Sequence, residues 1–281
     1  MMLTEGMFDY DLRVKKMSEA DIDITVVSLT CPNVFWGDAK VSLRTAQLSN
    51  DEMATAQVAY PDRIRSFATL PWQHAELAVA ELDRAVKAGA VGVMVLGNVA
   101  GRNLTDPTFA PVWKEIDRRA LPVLVHPTAP QGLAAMDFSS YNLVAAAGFM
   151  FDTTLAVTRM IFDGFFDRYP NLKLIAAHGG GTLPYIIGRL DQCYDHMPAC
   201  REKIARKPSS YLKQIYLDTV VYQQESLAQC LAVSGADNVL YGSDYRHNIG
   251  DMKGCLARID ALNTQSRDKV RGANVQRIFR L

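Results

Sequence analysis

Short apolar runs alternating with amphipathic helical patterns are the feature that most constrains this chain of 281 residues. Periodicity predicts strands over Ile22–Leu29, Ile64–Leu70, Val91–Leu96, Pro122–His126, Leu172–His178, Gln214–Thr219 and Val239–Asp244. Helical patterns cover Asp11–Ala20, ahead of the first strand, and then His74–Ala88, Pro111–Arg119 and Thr153–Arg168. Alternation of this kind along the whole sequence predicts one parallel sheet. The length suits a single α/β barrel domain over residues 1–281. A closed barrel has eight strands, whereas seven are legible here. An open doubly wound sheet is the alternative, but the glycine fingerprint expected after its first strand is missing. The expectation is therefore a TIM-type (β/α)8 barrel without its first strand, which residues 1–10 are too few and too polar to supply.

Three of the seven runs stop at a residue able to bind a metal or move a proton. The apolar run Leu172–Ile175 leads through two alanines to His178-Gly179-Gly180-Gly181, Pro122–Val125 to His126, and Val239-Leu240-Tyr241-Gly242-Ser243 to Asp244. The carboxyl ends of parallel strands are where active sites gather in such folds, so the three groups are expected to share one site. His126 and Asp244 are candidate metal ligands. Neutral imidazole and carboxylate suit Zn²⁺ or Mn²⁺ and leave positions open for water and substrate. His178 is either a third ligand or a general base that takes a proton from metal-bound water. His247, three residues after Asp244, lies near the expected mouth and is a candidate substrate contact. His74 and His196 read as surface or structural.

The bulk composition narrows the function classes. Thirty basic residues balance thirty acidic ones, which gives no reason to expect a nucleic-acid or anionic-membrane partner. The apolar stretch from Leu143 to Phe151 is too short to span a bilayer. No basic leader precedes an apolar segment at the start, so a cytoplasmic protein is expected. Five scattered cysteines, without a Cys-x-x-Cys pair, read as reduced structural thiols.

Further segments carry a resemblance. Arg13 with Met17–Asp23, Thr69–Val79, Val125-His126-Pro127, the stretch from His178 to Arg189, and Gly242–Tyr245 together resemble the amidohydrolase-related decarboxylases over nearly the whole chain. The resemblance implies metal-dependent, non-oxidative carbon–carbon cleavage on a TIM-type barrel. By position it implies His126 and Asp244 as metal ligands and His178 as the histidine that activates metal-bound water. It implies that Arg13 binds a substrate carboxylate, a task for which the guanidinium fork is well shaped. Arg189 would reach the site of a neighbouring subunit, which makes a homodimer the expected assembly. The family's first strand bears His-x-His or Glu-x-His, and neither pattern occurs here. The missing strand and the missing ligand pair are thus one absence. Pro127–Pro130 and Arg246-His247 also depart from the family pattern, at the substrate mouth.

The leading expectation is a carboxy-lyase for an unsaturated or aromatic carboxylic acid, with a divalent metal, zinc ahead of manganese, and no organic cofactor. A metal-dependent hydrolase of a lactone, amide or ester and a non-catalytic incomplete barrel are the alternatives.

Overall fold

The computed structural model describes residues 7–138 and 140–281. All seven expected strands form: β1 Thr25–Val27, β2 Ile64–Thr69, β3 Gly92–Leu96, β4 Pro122–His126, β5 Lys173–Ala176, β6 Ile215–Asp218 and β7 Val239–Leu240. They pair in parallel and in sequence order, with register partners such as Leu96–His126 and Asp218–Leu240. The curled sheet stays open, because β7 does not pair with β1 among the described residues. This is a TIM-type arrangement with seven strands in its sheet among the described residues, one fewer than a closed barrel has. Residues 1–6, part of the segment judged unable to supply that strand, lie outside the described residues.

Helices α1 Tyr10–Glu19, α2 Ala39–Ala59, α3 Ala75–Lys87, α4 Ala110–Arg119, α5 Phe149–Phe162, α6 Leu183–His196, α7 Gln224–Ser234, α8 Met252–Asp260 and α9 Asn274–Phe279 accompany the sheet. Asp9, Asp38 and Asp251 start α1, α2 and α8 by accepting a hydrogen bond from a backbone N–H of the first turn. The helix expected over Thr153–Arg168 is broken. Asp163 ends α5, Gly164 turns at φ +70°, and Phe165–Arg168 forms a short separate helix. A Cβ at Gly164 would sit 2.4 Å from the Lys203 carbonyl oxygen, so glycine is required at this break. Val144–Phe162 is long and apolar enough to cross a membrane by length and composition alone. Its Ala156, Val157, Met160 and Ile161 are nevertheless buried in the core beneath the sheet.

Strand alternation sorts side chains between two apolar layers. Val93, Val95, Val123, Val125, Leu174, Ala176, Ile215 and Leu217 point outward, into the core shared with the helices. Phe67, Met94, Leu96, Ile175, Tyr216 and Leu240 point inward and meet Ile278 and Phe279 of α9. The same period carries Leu124 to His126 and Tyr216 to Asp218, so both polar side chains face the barrel interior at the carboxyl ends of their strands.

Candidate metal and catalytic site

His126 is buried at the end of β4. Its Nδ1 lies 2.8 Å from the Pro127 carbonyl oxygen, which can only accept, so Nδ1 carries the proton and Nε2 offers a lone pair. Burial, reinforced by His178, pushes its pKa down to about 3, which keeps the ring neutral. Neutrality is what metal ligation requires, because no proton competes for Nε2.

The strands expected to run to His178 and Asp244 stop earlier, at Ala176 and Leu240. Beyond Leu240 the backbone bonds to a side chain instead of a ladder: Thr219 Oγ1 accepts from the Gly242 N–H at 3.0 Å. His178 and Asp244 themselves adopt left-handed backbone, at φ 58° and 54°. Non-glycine residues seldom do so, and such strain of about 1–3 kcal/mol gathers at functional sites.

The His178 turn is held by Asp218, whose importance escaped the sequence analysis. Its carboxylate accepts from the backbone N–H groups of His178 at 3.0 Å, Gly179 at 2.9 Å and Val220 at 3.0 Å. The available signal was the one used for Asp244: an acidic residue closing an apolar strand at the barrel's carboxyl end. Burial pushes the Asp218 carboxyl up, against the opposing effect of His178 and the three N–H donors.

His178 Nε2 lies 3.8 Å from Asp244 Oδ1. The rings of His178 and His126 are edge to face, with centroids 5.2 Å apart. Burial opposes a charge on His178, yet the Asp244 and Asp218 carboxylates lift its pKa above the ordinary value. For Asp244 burial again opposes ionisation, and the three surrounding imidazoles hold it below the usual carboxylate range. The ligand atoms of His126, Asp244 and His247 all fall within 4.8 Å of one another. The donor set of two imidazoles and a carboxylate fits a divalent ion.

Arg13 is buried on α1, with its guanidinium 4.9 Å from the centre of the Tyr245 ring. Its Nε lacks a hydrogen-bond partner among the described residues, and burial lowers its pKa. It lines the same cavity of about 400 Å³ as His126, His178, Asp218, Asp244 and His247. The apolar floor of that cavity includes Phe67, Leu124, Ile175 and Phe279. Arg189 stands apart, exposed on α6. Five of the six residues singled out in the sequence are therefore brought together, and the sixth lies on the outer surface.

Comparison with known proteins places this geometry in context. A family profile described as amidohydrolase matches residues 11–281. The chain is 33% identical over 254 residues to 2-amino-3-carboxymuconate-6-semialdehyde decarboxylase of Dictyostelium discoideum, covering 89% of this chain and 70% of that protein. The crystal structure of 5-carboxyvanillate decarboxylase from Sphingomonas paucimobilis superposes with a TM-score of 0.89 at 28% identity, covering 96% of this chain and 82% of that one. A dihydroxybenzoic acid decarboxylase from Polaromonas sp., solved with bound manganese and the inhibitor 2-nitroresorcinol, gives 0.88 at 28% identity, over 96% and 86% of the two chains.

Proposed function

Because this chain belongs to the amidohydrolase family, we propose that it is a metal-dependent, non-oxidative decarboxylase of unsaturated or aromatic carboxylic acids. The observation that carries the reading is the meeting of His126, Asp244 and His178 in one cavity with the buried Arg13, which makes no salt bridge among the described residues, at the carboxyl end of the barrel. The three relatives described above are all decarboxylases, whereas the hydrolase alternative draws only on the shared scaffold. His126 and Asp244 would hold the ion. Bound there, a divalent metal supplies positive charge that orients the substrate's carboxylate and neighbouring oxygens and stabilises developing negative charge.

The chain's own residues do the rest. Arg13 binds a carboxylate through its fork, and its burial strengthens that pairing by excluding water. The apolar floor accepts the unsaturated or aromatic body of the substrate. The carbon–carbon bond to the carboxyl group breaks, carbon dioxide leaves, and the electron pair stays on the substrate carbon. His178 delivers the proton that takes the carboxyl group's place, and Asp218 holds its backbone in position.

For the metal, the sequence analysis puts zinc ahead of manganese, but the donor set suits either ion and the manganese in the Polaromonas relative supports manganese. A homodimer is the assembly we favour, with Arg189 serving the partner's site. Tyr185, one helical turn before it on α6, and Leu155 of α5 are exposed apolar side chains suited to that contact. The test is carbon dioxide release from a panel of hydroxybenzoic acids after chelation and after manganese is restored. Release that depends on manganese supports the reading. Release that chelation does not affect, or release from no acid in the panel with manganese present, refutes it.

A further inference from the structure

We propose that His247 is a third protein ligand of the metal rather than a substrate contact, so that His126, Asp244 and His247 hold the ion together. The inference rests on the metal-dependent reading above and assigns a residue that reading leaves open.

The argument begins with distances. Two donors each about 2.1 Å from one ion lie about 3.0 Å apart at a right angle and about 4.2 Å apart on opposite sides. His247 Nε2 is 4.0 Å from Asp244 Oδ1, and the whole set of donor atoms falls within 4.8 Å. Closing around an ion therefore requires movements of less than about 1 Å. The His247 side chain is 26% exposed, so it is not enclosed by the core. Its ring lies nearly parallel to that of His126, at 26°, with centroids 6.2 Å apart. His178 approaches the Asp244 corner but does not belong to the three-donor group. That division leaves His178 free to carry a proton.

The local chain explains why Asp244 and His247 converge. The His247 N–H donates to the Asp244 carbonyl oxygen at 2.9 Å, closing a turn that sets residues three apart on one side. The Gly250 N–H donates to the His247 carbonyl oxygen at 2.9 Å, and the Asp251 N–H to that of Ser243 at 2.9 Å. A Cβ at Gly250 would lie 2.4 Å from the Asp244 carbonyl oxygen, so only glycine lets the turn pack this tightly. Two ligands preset by one rigid turn lose little freedom when the ion arrives. The resulting two-histidine, one-carboxylate set leaves coordination positions for substrate oxygens.

The test uses Mn²⁺ itself as the probe, on the full chain and on His247→Ala and His247→Gln. Calorimetric titration and elemental analysis give affinity and stoichiometry, and pulsed electron paramagnetic resonance counts the imidazole nitrogens coupled to the ion. Circular dichroism verifies folding, and the glutamine variant preserves side-chain volume at the turn. The expected result is one ion per chain with two coupled nitrogens. Either variant should then bind about 100-fold more weakly, at the upper end of what losing a group that merely supports a ligand costs, with one coupled nitrogen. Unchanged affinity and two coupled nitrogens in both variants overturn the assignment of His247 while the metal-dependent reading stands. A wild-type chain that takes up no Mn²⁺ overturns both.

Discussion

Replacing Asp218 with asparagine tests how the site is built. The amide preserves shape but offers one acceptor oxygen instead of two. Placed where Oδ1 now lies, that oxygen retains the bonds from Gly179 and Val220. The NH₂ group then faces the His178 N–H, which loses its acceptor. A buried N–H left without a partner costs about 1–3 kcal/mol, and the two retained bonds weaken by roughly half once the charge is gone. The neutral amide offsets part of this, because burial already penalises the Asp218 carboxylate. A net loss of about 1–3 kcal/mol is expected, or about 2–6 °C in melting temperature at roughly 2 °C per kcal/mol for a chain of this size. The effect on catalysis should be larger than the effect on stability. His178 is held in left-handed backbone, and a shift of about 1 Å in a reacting group costs about 100-fold in rate. Asp218 makes no hydrogen bond to His126, Asp244 or His247 among the described residues, so Mn²⁺ affinity should change by less than about threefold, about 0.7 kcal/mol. Thermal unfolding, Mn²⁺ titration and steady-state kinetics on the same preparation separate these effects. A variant with wild-type melting temperature and wild-type kcat would refute the positioning role.

Two further predictions concern stability. Gly181→Ala should destabilise by about 3 kcal/mol or more, because at φ +66° its Cβ would lie 2.4 Å from the Met150 carbonyl oxygen. Gly188→Ala on α6, where a Cβ meets nothing within 4 Å, should instead stabilise by about 0.5–1 kcal/mol. Urea unfolding of both variants decides whether crowding or composition governs these glycines. The third prediction concerns acid. Folded His126 is held neutral, with its pKa pushed down to about 3, whereas unfolded it titrates near 6.5. The unfolded chain therefore binds a proton that the folded chain refuses, so stability falls as pH drops below about 6.5. In chelator, wild type should lose about 2 kcal/mol more than His126→Gln between pH 7 and pH 5. The raised pKa of His178 acts in the opposite sense in both proteins, so it largely cancels from the difference. Equal losses in the two proteins would contradict the neutral, buried histidine.

The strands were legible in the sequence because each carries apolar residues on both faces, as a sheet with one face on helices and the other on a barrel interior demands. Their ends were less legible. Leu172–His178 and Val239–Asp244 read as unbroken, whereas the left-handed turns at His178 and Asp244 depend on Asp218, the glycines and Thr219, which are partners remote in sequence. Asp218 closes an apolar strand as Asp244 does, but its work is done through the backbone N–H groups of His178, Gly179 and Val220, which the residue pattern does not reveal. The strand-end position of His126 and Asp244 pointed to the site, but the nearness of His247 to both follows from a turn that residue order alone does not specify. Arg13 was recognisable only through resemblance, since a lone arginine on an amphipathic helix otherwise reads as solvated.

The central claim is that the site breaks a carbon–carbon bond and replaces carbon dioxide with a proton. The most direct test is turnover of a hydroxybenzoic acid in D₂O with Mn²⁺ present, followed by mass and nuclear magnetic resonance analysis of the product. The account predicts loss of the carboxyl group as carbon dioxide and one deuterium on the carbon that carried it. The same experiment with an aryl ester or lactone covers the hydrolytic alternative. An enzyme that leaves every carboxyl group in place but opens the ester or lactone, incorporating oxygen from water, would contradict the account.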